Sequence, residues 1–320
     1  MRSLQGRGFR AVAALLLAVL AASAAVAASK NGFDLDGALI PADEIRSGGP
    51  PRDGIPALTD PPRVAAAQAG WLRDDDRVIG VALGDEAVAY PVRILNWHEI
   101  VNDVVGGRPV AVTYCPLCRT GVVFDAMLDG QRRLFGVSGL LYNSDVLLYD
   151  RATDSLVSQL EFRAVSGPLR GRRLELVPAT VTTWGAWRAR HPDTLVLARE
   201  TGFRRDYDRD PYTRYHAAPG TMFPVRGAEG SRPAKEWAWL VRDGDRTWIL
   251  SERHLRRAAR RGGGRLRLGR LLLAFERDTR SLSATRPDGT PVAVVPGYWF
   301  ALTAFHRDAL RDPPLARRGP

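Results

Sequence analysis

Residues 109–137 read PVAVTYCPLCRTGVVFDAMLDGQRRLFGV, and short apolar runs alternate with turn residues along this stretch. Residues 109–114, 122–128 and 132–137 have the composition of β-strands. Asp129 and Gly130 tolerate the positive φ angles that a tight hairpin turn requires. The stretch therefore predicts a β-rich fold in which the loop between the first two strands carries Cys115 and Cys118.

The rest of the chain is also dominated by strand patterns. Residues 78–83 and 87–92 predict a hairpin around Gly84-Asp85, and Asp243-Gly244 and Asp288-Gly289 repeat the turn signal. Residues 95–105 are helical in pattern before Gly106-Gly107. The sequence predicts an α+β fold that is mostly β, with a few short helices.

Two pairs of similar segments suggest an internal repeat. Residues 150–156 (DRATDSL) match residues 276–282 (ERDTRSL), and residues 184–195 match residues 299–310, with Trp, His, Asp and Leu at identical spacing. Duplication of one β-rich unit explains such matches. We therefore expect two related units, of which the second lacks the cysteine hairpin.

The first thirty residues have the pattern of a secretory signal peptide. Three arginines precede the apolar run of residues 11–20, and small residues follow through Ala27. We expect a periplasmic or secreted protein with no stable membrane insertion after cleavage. The predicted organisation is a signal peptide (1–27), an extended arm or linker (28–62), a first unit (63–200), a connecting loop region (201–235), a second, degenerate unit (236–312) and a tail (313–320).

The formal net charge of +11 does not indicate nucleic-acid binding. All basic residues except Lys30 and Lys235 are arginine, a bias that codon composition explains, and no recognition motif is present. The sequence names no other partner and assigns no enzymatic activity.

Cys115 and Cys118 are the only cysteines of the chain, and their spacing suits one metal ion or one disulfide. A disulfide that closes so short a loop stabilises a protein by at most about 2 kcal/mol, which is a weak reason for its presence in a large domain. A strand-turn-strand Cys-Pro-Leu-Cys loop resembles a metal knuckle, and two sulfurs plus an imidazole favour copper or zinc. The alternatives are a periplasmic thiol–disulfide oxidoreductase, with Cys115 and Cys118 as the redox pair, and a non-catalytic ligand-binding module with a structural disulfide.

His98 is the candidate third metal ligand, because it lies just upstream of the strand that delivers Cys115. The alternative for His98 is a core histidine that is hydrogen-bonded to a backbone carbonyl. Tyr142, Asn143, Ser144 and Asp145 form a polar cluster after Gly139, and we expect them to line a pocket beside the thiols. The alternative for this cluster is a turn between two strands.

The chain contains five motifs: NWHEIVN (96–102), TYCPLC (113–118), TG (120–121), FGVSGLLYNSD (135–145) and TTW (182–184). Together they resemble one widespread family of exported prokaryotic proteins that is carried as a domain of unknown function. The resemblance implies no established activity, and it adds Gln159 as a pocket neighbour of the thiols. This chain has Arg119 where the family has Gly, and Val157 where the family has Trp. The resemblance extends over about residues 53–308.

Overall fold

The computed structural model describes residues 29–260 and 264–317. The predicted signal peptide therefore lies outside the described residues. Within them, no helix combines the length and the apolar character that a membrane span requires.

Short strands make up most of the described chain. The first group is β1 (Ser29–Lys30), β2 (Phe33–Asp34), β3 (Arg46–Ser47), β4 (Leu58–Thr59), β5 (Arg63–Ala65), β6 (Arg77–Leu83), β7 (Glu86–Pro91), β8 (Ile100–Val105), β9 (Arg108–Cys115) and β10 (Thr120–Asp125). The second is β11 (Met127–Leu128), β12 (Gln131–Arg132), β13 (Phe135–Tyr142), β14 (Asp145–Asp150), β15 (Leu156–Ser158), β16 (Arg163–Ala164), β17 (Ala179–Thr183) and β18 (Leu195–Leu197). The third is β19 (Trp237–Asp243), β20 (Arg246–Ser251), β21 (Arg265–Leu268), β22 (Leu271–Glu276), β23 (Ser281–Thr285), β24 (Pro291–Val292), β25 (Val294–Tyr298), β26 (Leu310–Arg311) and β27 (Ala316–Arg317).

The helices are few and short. They are a 3₁₀ turn (Ala66–Gln68) and the α-helices α1 (Val92–His98), α2 (Trp184–Arg190), α3 (Thr213–Ala217), α4 (Glu252–Ala259) and α5 (Trp299–Phe305). The prediction of a mostly β chain is confirmed.

The described strands assemble into five larger sheets in the arrangement of a five-bladed β-propeller. Most neighbouring strands are antiparallel, whereas β4–β8, β7–β18 and β20–β26 are parallel pairs. The strand orders are β10-β9-β8-β4, β16-β15-β14-β13-β3, β17-β6-β7-β18-β5, β25-β19-β20-β26 and β24-β23-β22-β21-β27.

The predicted α+β fold of two duplicated units is therefore wrong, although its mostly β character is right. Strands β7 and β17 belong to one sheet, and two further sheets, formed mainly by β8–β10 and β13–β16, lie between them along the chain. Strands β20 and β25 belong to another sheet, and only one further sheet, formed mainly by β21–β24, lies between them. The five sheets therefore do not divide into two equal units. The matching segments share local structure instead. Thr153 Oγ1 donates to Asp150 Oδ2 (2.7 Å) in one matching turn, and Thr279 Oγ1 donates to Glu276 Oε2 (2.9 Å) in the other.

The hairpin predictions hold, but the helix predicted over residues 95–105 does not. Asp129 and Gly130 have φ angles of 53° and 72° in the turn between β11 and β12. Helix α1 ends at His98, and Glu99 has a φ of 59°, which redirects the chain into β8. The β-branched residues that follow pair with β9, because strand pairing overrides the weak helical periodicity of this segment.

Residues 29–62 contribute to the packed structure. Strand β3 pairs with β13, and β4 pairs with β8. Phe33 and Ile45 are fully buried in a cluster with Leu140 of β13 and with Leu147 and Tyr149 of β14. This segment therefore supports the strand pair that forms one side of the candidate site.

Candidate metal site

A β-hairpin presents both cysteines, as the strand-turn-strand prediction requires. Cys115 ends β9 and pairs with Thr120, the first residue of β10, so Pro116 to Arg119 form a four-residue loop. Arg119 adopts a φ of 52°, a conformation in which its family counterpart, Gly, is unstrained. Both thiols are free and almost completely buried. The loop thus turns both sulfur atoms toward the protein interior.

A second hairpin, from a different sheet, meets these sulfur atoms. Strands β13 and β14 are joined by Asn143 and Ser144, whose φ angles of 47° and 64° are typical of a type I′ turn. The Ser144 carbonyl oxygen lies 3.1 Å from Cys118 Sγ and 3.8 Å from Cys115 Sγ. The turn therefore aims a backbone acceptor at both thiols.

Asp145 completes a three-residue group. It is the first residue of β14, it is buried, and its carboxylate lies with the two sulfur atoms such that all three ligand atoms are within 4.8 Å of one another. Thr120 Oγ1 lies 3.5 Å from Asp145 Oδ1, while Oδ2 has no hydrogen-bond partner among the described residues. Cys115, Cys118 and Asp145 are thus close enough for one metal ion to bridge them.

Burial raises the pKa of all three residues of this group and so favours their protonated forms. It raises the pKa of Asp145 to about 7, although the neighbouring thiols act in the opposite direction. Burial also raises the pKa of both cysteine thiols. Glu99, which lies nearby, has a pKa raised to about 8 by burial and, secondarily, by the charge of Asp145. In the absence of a cation, the site therefore retains protons near neutral pH.

His98, the predicted third ligand, forms hydrogen bonds through both ring nitrogens and is not a member of the group of close ligand atoms. Its Nδ1 lies 2.7 Å from the Pro56 carbonyl oxygen, and its Nε2 lies 2.6 Å from the Tyr207 hydroxyl oxygen. Burial lowers the pKa of His98 to about 4, so the ring is neutral. Asp145, which the sequence placed beside the thiols as a pocket residue, takes the third position in the group.

The other predicted pocket residues, Gln159, Asn143 and Tyr142, each contact a different part of the structure. Gln159 accepts a hydrogen bond from Thr120 Oγ1 (2.6 Å) and donates one to Thr113 Oγ1 (2.9 Å), so it orients the strand residue next to Asp145. Asn143 Oδ1 accepts from the backbone N–H of Arg226 (2.8 Å). Tyr142 packs edge-on against Phe305, with ring centroids 5.5 Å apart. Of these three residues, Gln159 is the one linked to the group of Cys115, Cys118 and Asp145, because Thr120 contacts both Gln159 and Asp145.

A small cleft reaches the site from one side. It has a volume of about 130 Å³, and Cys115 and Glu99 are its polar members. Tyr212, Met222 and Phe223 form part of its apolar wall. No sequence pattern predicted a role for Glu99 or Tyr212, although Glu99 directly follows His98 in the NWHEIVN motif.

Comparison with known families gives one match. The model of a family described as protein of unknown function (DUF3179) matches residues 52–264, which is more than half of the chain. Neither the search of curated proteins nor the search of solved structures gave a match. On the family match, the chain belongs to the DUF3179 family of proteins of unknown function.

Proposed function

We propose that this chain is an exported metal-binding protein that holds one divalent ion through Cys115 Sγ, Cys118 Sγ and the Asp145 carboxylate. The observation that carries the proposal is the mutual proximity of these three ligand atoms, all within 4.8 Å. The leader-like N-terminus of the sequence supports export to the periplasm or secretion.

The ligand set favours zinc over copper(I). Thiolates bind both ions, but a carboxylate oxygen is a common ligand of Zn²⁺ and a poor one for the softer Cu⁺. Asp145 Oδ2 is buried beside the two sulfur atoms and accepts no hydrogen bond from a nitrogen or oxygen donor of the described chain, so a cation would satisfy it. Two thiolates and one carboxylate carry three negative charges, which a divalent ion largely offsets.

The position of Cys115 supports an open coordination site. Three protein ligands leave the fourth position of a tetrahedral zinc ion free, as in catalytic zinc sites. Cys115 lines the small cleft, so a molecule in that cleft would approach the ion from the Cys115 side. We assign no reaction to this position.

Thiol–disulfide exchange is the second candidate, and the two free, neighbouring thiols favour it. Its nucleophile must be a thiolate, which in exchange enzymes has a lowered pKa. Here burial raises the pKa of both thiols, and Arg119 directs its guanidinium toward Trp237 and Tyr298. The electrostatics thus favour metal binding, because a bound cation stabilises both thiolates.

Metal analysis of the anaerobically purified protein tests the proposal. We expect one zinc ion per chain after exposure to zinc and removal of the excess by dialysis. Asp145→Asn and Cys118→Ser should each reduce the retained zinc to well below one ion per chain. Asp150→Asn is the matched control, because Asp150 is equally buried at the opposite end of β14.

Two results would contradict the proposal. One is that the purified protein retains no zinc while its thiols remain reduced. The other is that the Cys118→Ser variant retains as much zinc as Asp150→Asn. A reducible Cys115–Cys118 disulfide that exchanges with a small dithiol, without metal retention, would favour the redox function instead.

A further inference from the structure

A second cavity, of about 230 Å³, lies beside the cysteine hairpin. Arg77, the first residue of β6, and Trp237, the first residue of β19, line it together with Tyr114 of β9 and Arg119 of the hairpin loop. The first three residues belong to three different sheets. The cavity is therefore built by the convergence of several sheets, and none of its lining residues belongs to the proposed metal group.

Arg119 brings a guanidinium without a polar partner to this cavity. Its guanidinium carbon lies 5.6 Å from the centroid of the Trp237 ring and 5.9 Å from that of Tyr298. It forms no ion pair or hydrogen bond with the described part of the chain. Arg119 is half-buried, so the N–H donors of its guanidinium remain available to a ligand.

Arg77 adds a second positive charge beside the same indole. Its guanidinium carbon is also 5.6 Å from the Trp237 centroid, and its nitrogens donate to the carbonyl oxygens of Val181 (3.2 Å), Arg280 (3.4 Å) and Thr279. No carboxylate among the described residues pairs with it. Burial lowers the pKa of Arg77 to about 10, and the positive charges of Arg119 and Arg280 act in the same direction.

The acidic residues of the cavity already have partners or lie in solvent. Arg93 forms ion pairs with Asp76 (2.9 Å) and Asp208 (3.1 Å). Asp210 Oδ1 accepts hydrogen bonds from Asn96 Nδ2 (3.2 Å) and from the backbone N–H of Tyr212 (2.8 Å). Asp75 is exposed. Within the described residues, none of these carboxylates forms an ion pair with Arg77 or Arg119.

We propose that Arg77 and Arg119 bind the carboxylate of a small organic acid, whose apolar part lies against Trp237 and Val181. An arginine fork matches a carboxylate in geometry and charge. The indole ring and the nearly buried Val181 provide apolar surface, which a bare inorganic anion would not use. The volume is below that of pockets for drug-sized ligands, so the ligand is correspondingly small.

Ligand-observed NMR titration of the purified protein with benzoate tests this site. We expect saturable binding of benzoate, no binding of its neutral counterpart benzamide at the same concentration, and no displacement of benzoate by an equal concentration of inorganic phosphate. Arg119→Gln should weaken benzoate binding by about tenfold or more, which is the effect expected for the loss of a hydrogen bond between charged groups. Arg119→Lys should bind more tightly than Arg119→Gln, because it keeps the charge.

Arg267→Gln is the matched control, since Arg267 is exposed on β21 and does not line the cavity. It should bind benzoate as the unchanged protein does. The proposal is overturned if benzoate does not bind, if benzamide or phosphate binds equally well, or if Arg119→Gln and Arg267→Gln behave alike. Because Arg119→Gln leaves the three metal ligands in place, zinc retention by this variant separates a failure here from a failure of the metal proposal.

Discussion

Cys118 Sγ lies 3.1 Å from the carbonyl oxygen of Ser144, so the tips of two hairpins from different sheets meet at one point. The same carbonyl is 3.8 Å from Cys115 Sγ, and the next residue is Asp145. The turn at Asn143-Ser144 therefore sets both the acceptor that faces the thiols and the start of the strand that carries the carboxylate.

The conformation of Ser144 gives a prediction for this turn. Ser144 has a φ of 64°, which strains a β-branched residue but not glycine. We expect Ser144→Val to lower the free energy of unfolding by about 1–3 kcal/mol and to weaken zinc binding. Ser144→Gly is the matched variant and should retain both stability and zinc. Denaturant unfolding and zinc titration measure the two effects, and equal behaviour of the two variants would contradict the role of the turn.

Glu99 gives a prediction about pH. Its pKa is about 8 in the folded protein against 4.5 as the ordinary value, so the unfolded chain releases this proton at a lower pH than the folded chain does. The stability of the metal-free protein relative to Glu99→Gln should therefore fall as the pH rises from about 4.5 to 8.

Thermal or denaturant unfolding at several pH values measures this difference. Glu175→Gln is the control, because the side chain of Glu175 is 84% exposed, and its stability difference from the unchanged protein should stay nearly constant with pH. A Glu99→Gln difference that stays constant, or that grows in favour of the unchanged protein with rising pH, would refute the buried, protonated state of Glu99.

Gly80 gives a prediction for the core behind β6. A Cβ atom at this position would lie 2.3 Å from the Trp187 ring, and Trp187 is buried. Gly80→Ala should lower the free energy of unfolding by about 1–3 kcal/mol through overpacking. Gly70→Ala is the control, since nothing lies within 4 Å of a Cβ atom there. An equal effect of the two substitutions in denaturant unfolding would contradict the close packing of the sheet on α2.

The local features of the site could be predicted from the sequence. The cysteine hairpin follows from strand composition on both sides of a short loop, and the Asp129-Gly130 turn follows from residues that tolerate positive φ. These features depend on neighbours within a few residues.

The long-range features could not be predicted in this way. The sequence predicts that residues 142–145 lie beside the thiols, but it does not predict which of them joins the thiols as a ligand. Asp145 does so because β13–β14 and β9–β10, which belong to different sheets, bring their turns together. The ring of His98 is occupied by Pro56 and Tyr207, which are distant in the sequence. The five-sheet arrangement depends on pairings such as β7 with β18, and no local pattern encodes which strand will be the partner.

X-ray absorption spectroscopy at the zinc edge tests the central claim most directly. For the zinc-loaded protein we predict two sulfur ligands at about 2.3 Å and oxygen ligands at about 2.0–2.2 Å. The small amount of zinc that Cys118→Ser still retains should have one sulfur ligand. A shell that contains no sulfur, or one that contains four sulfurs, would contradict binding of the ion by Cys115, Cys118 and Asp145.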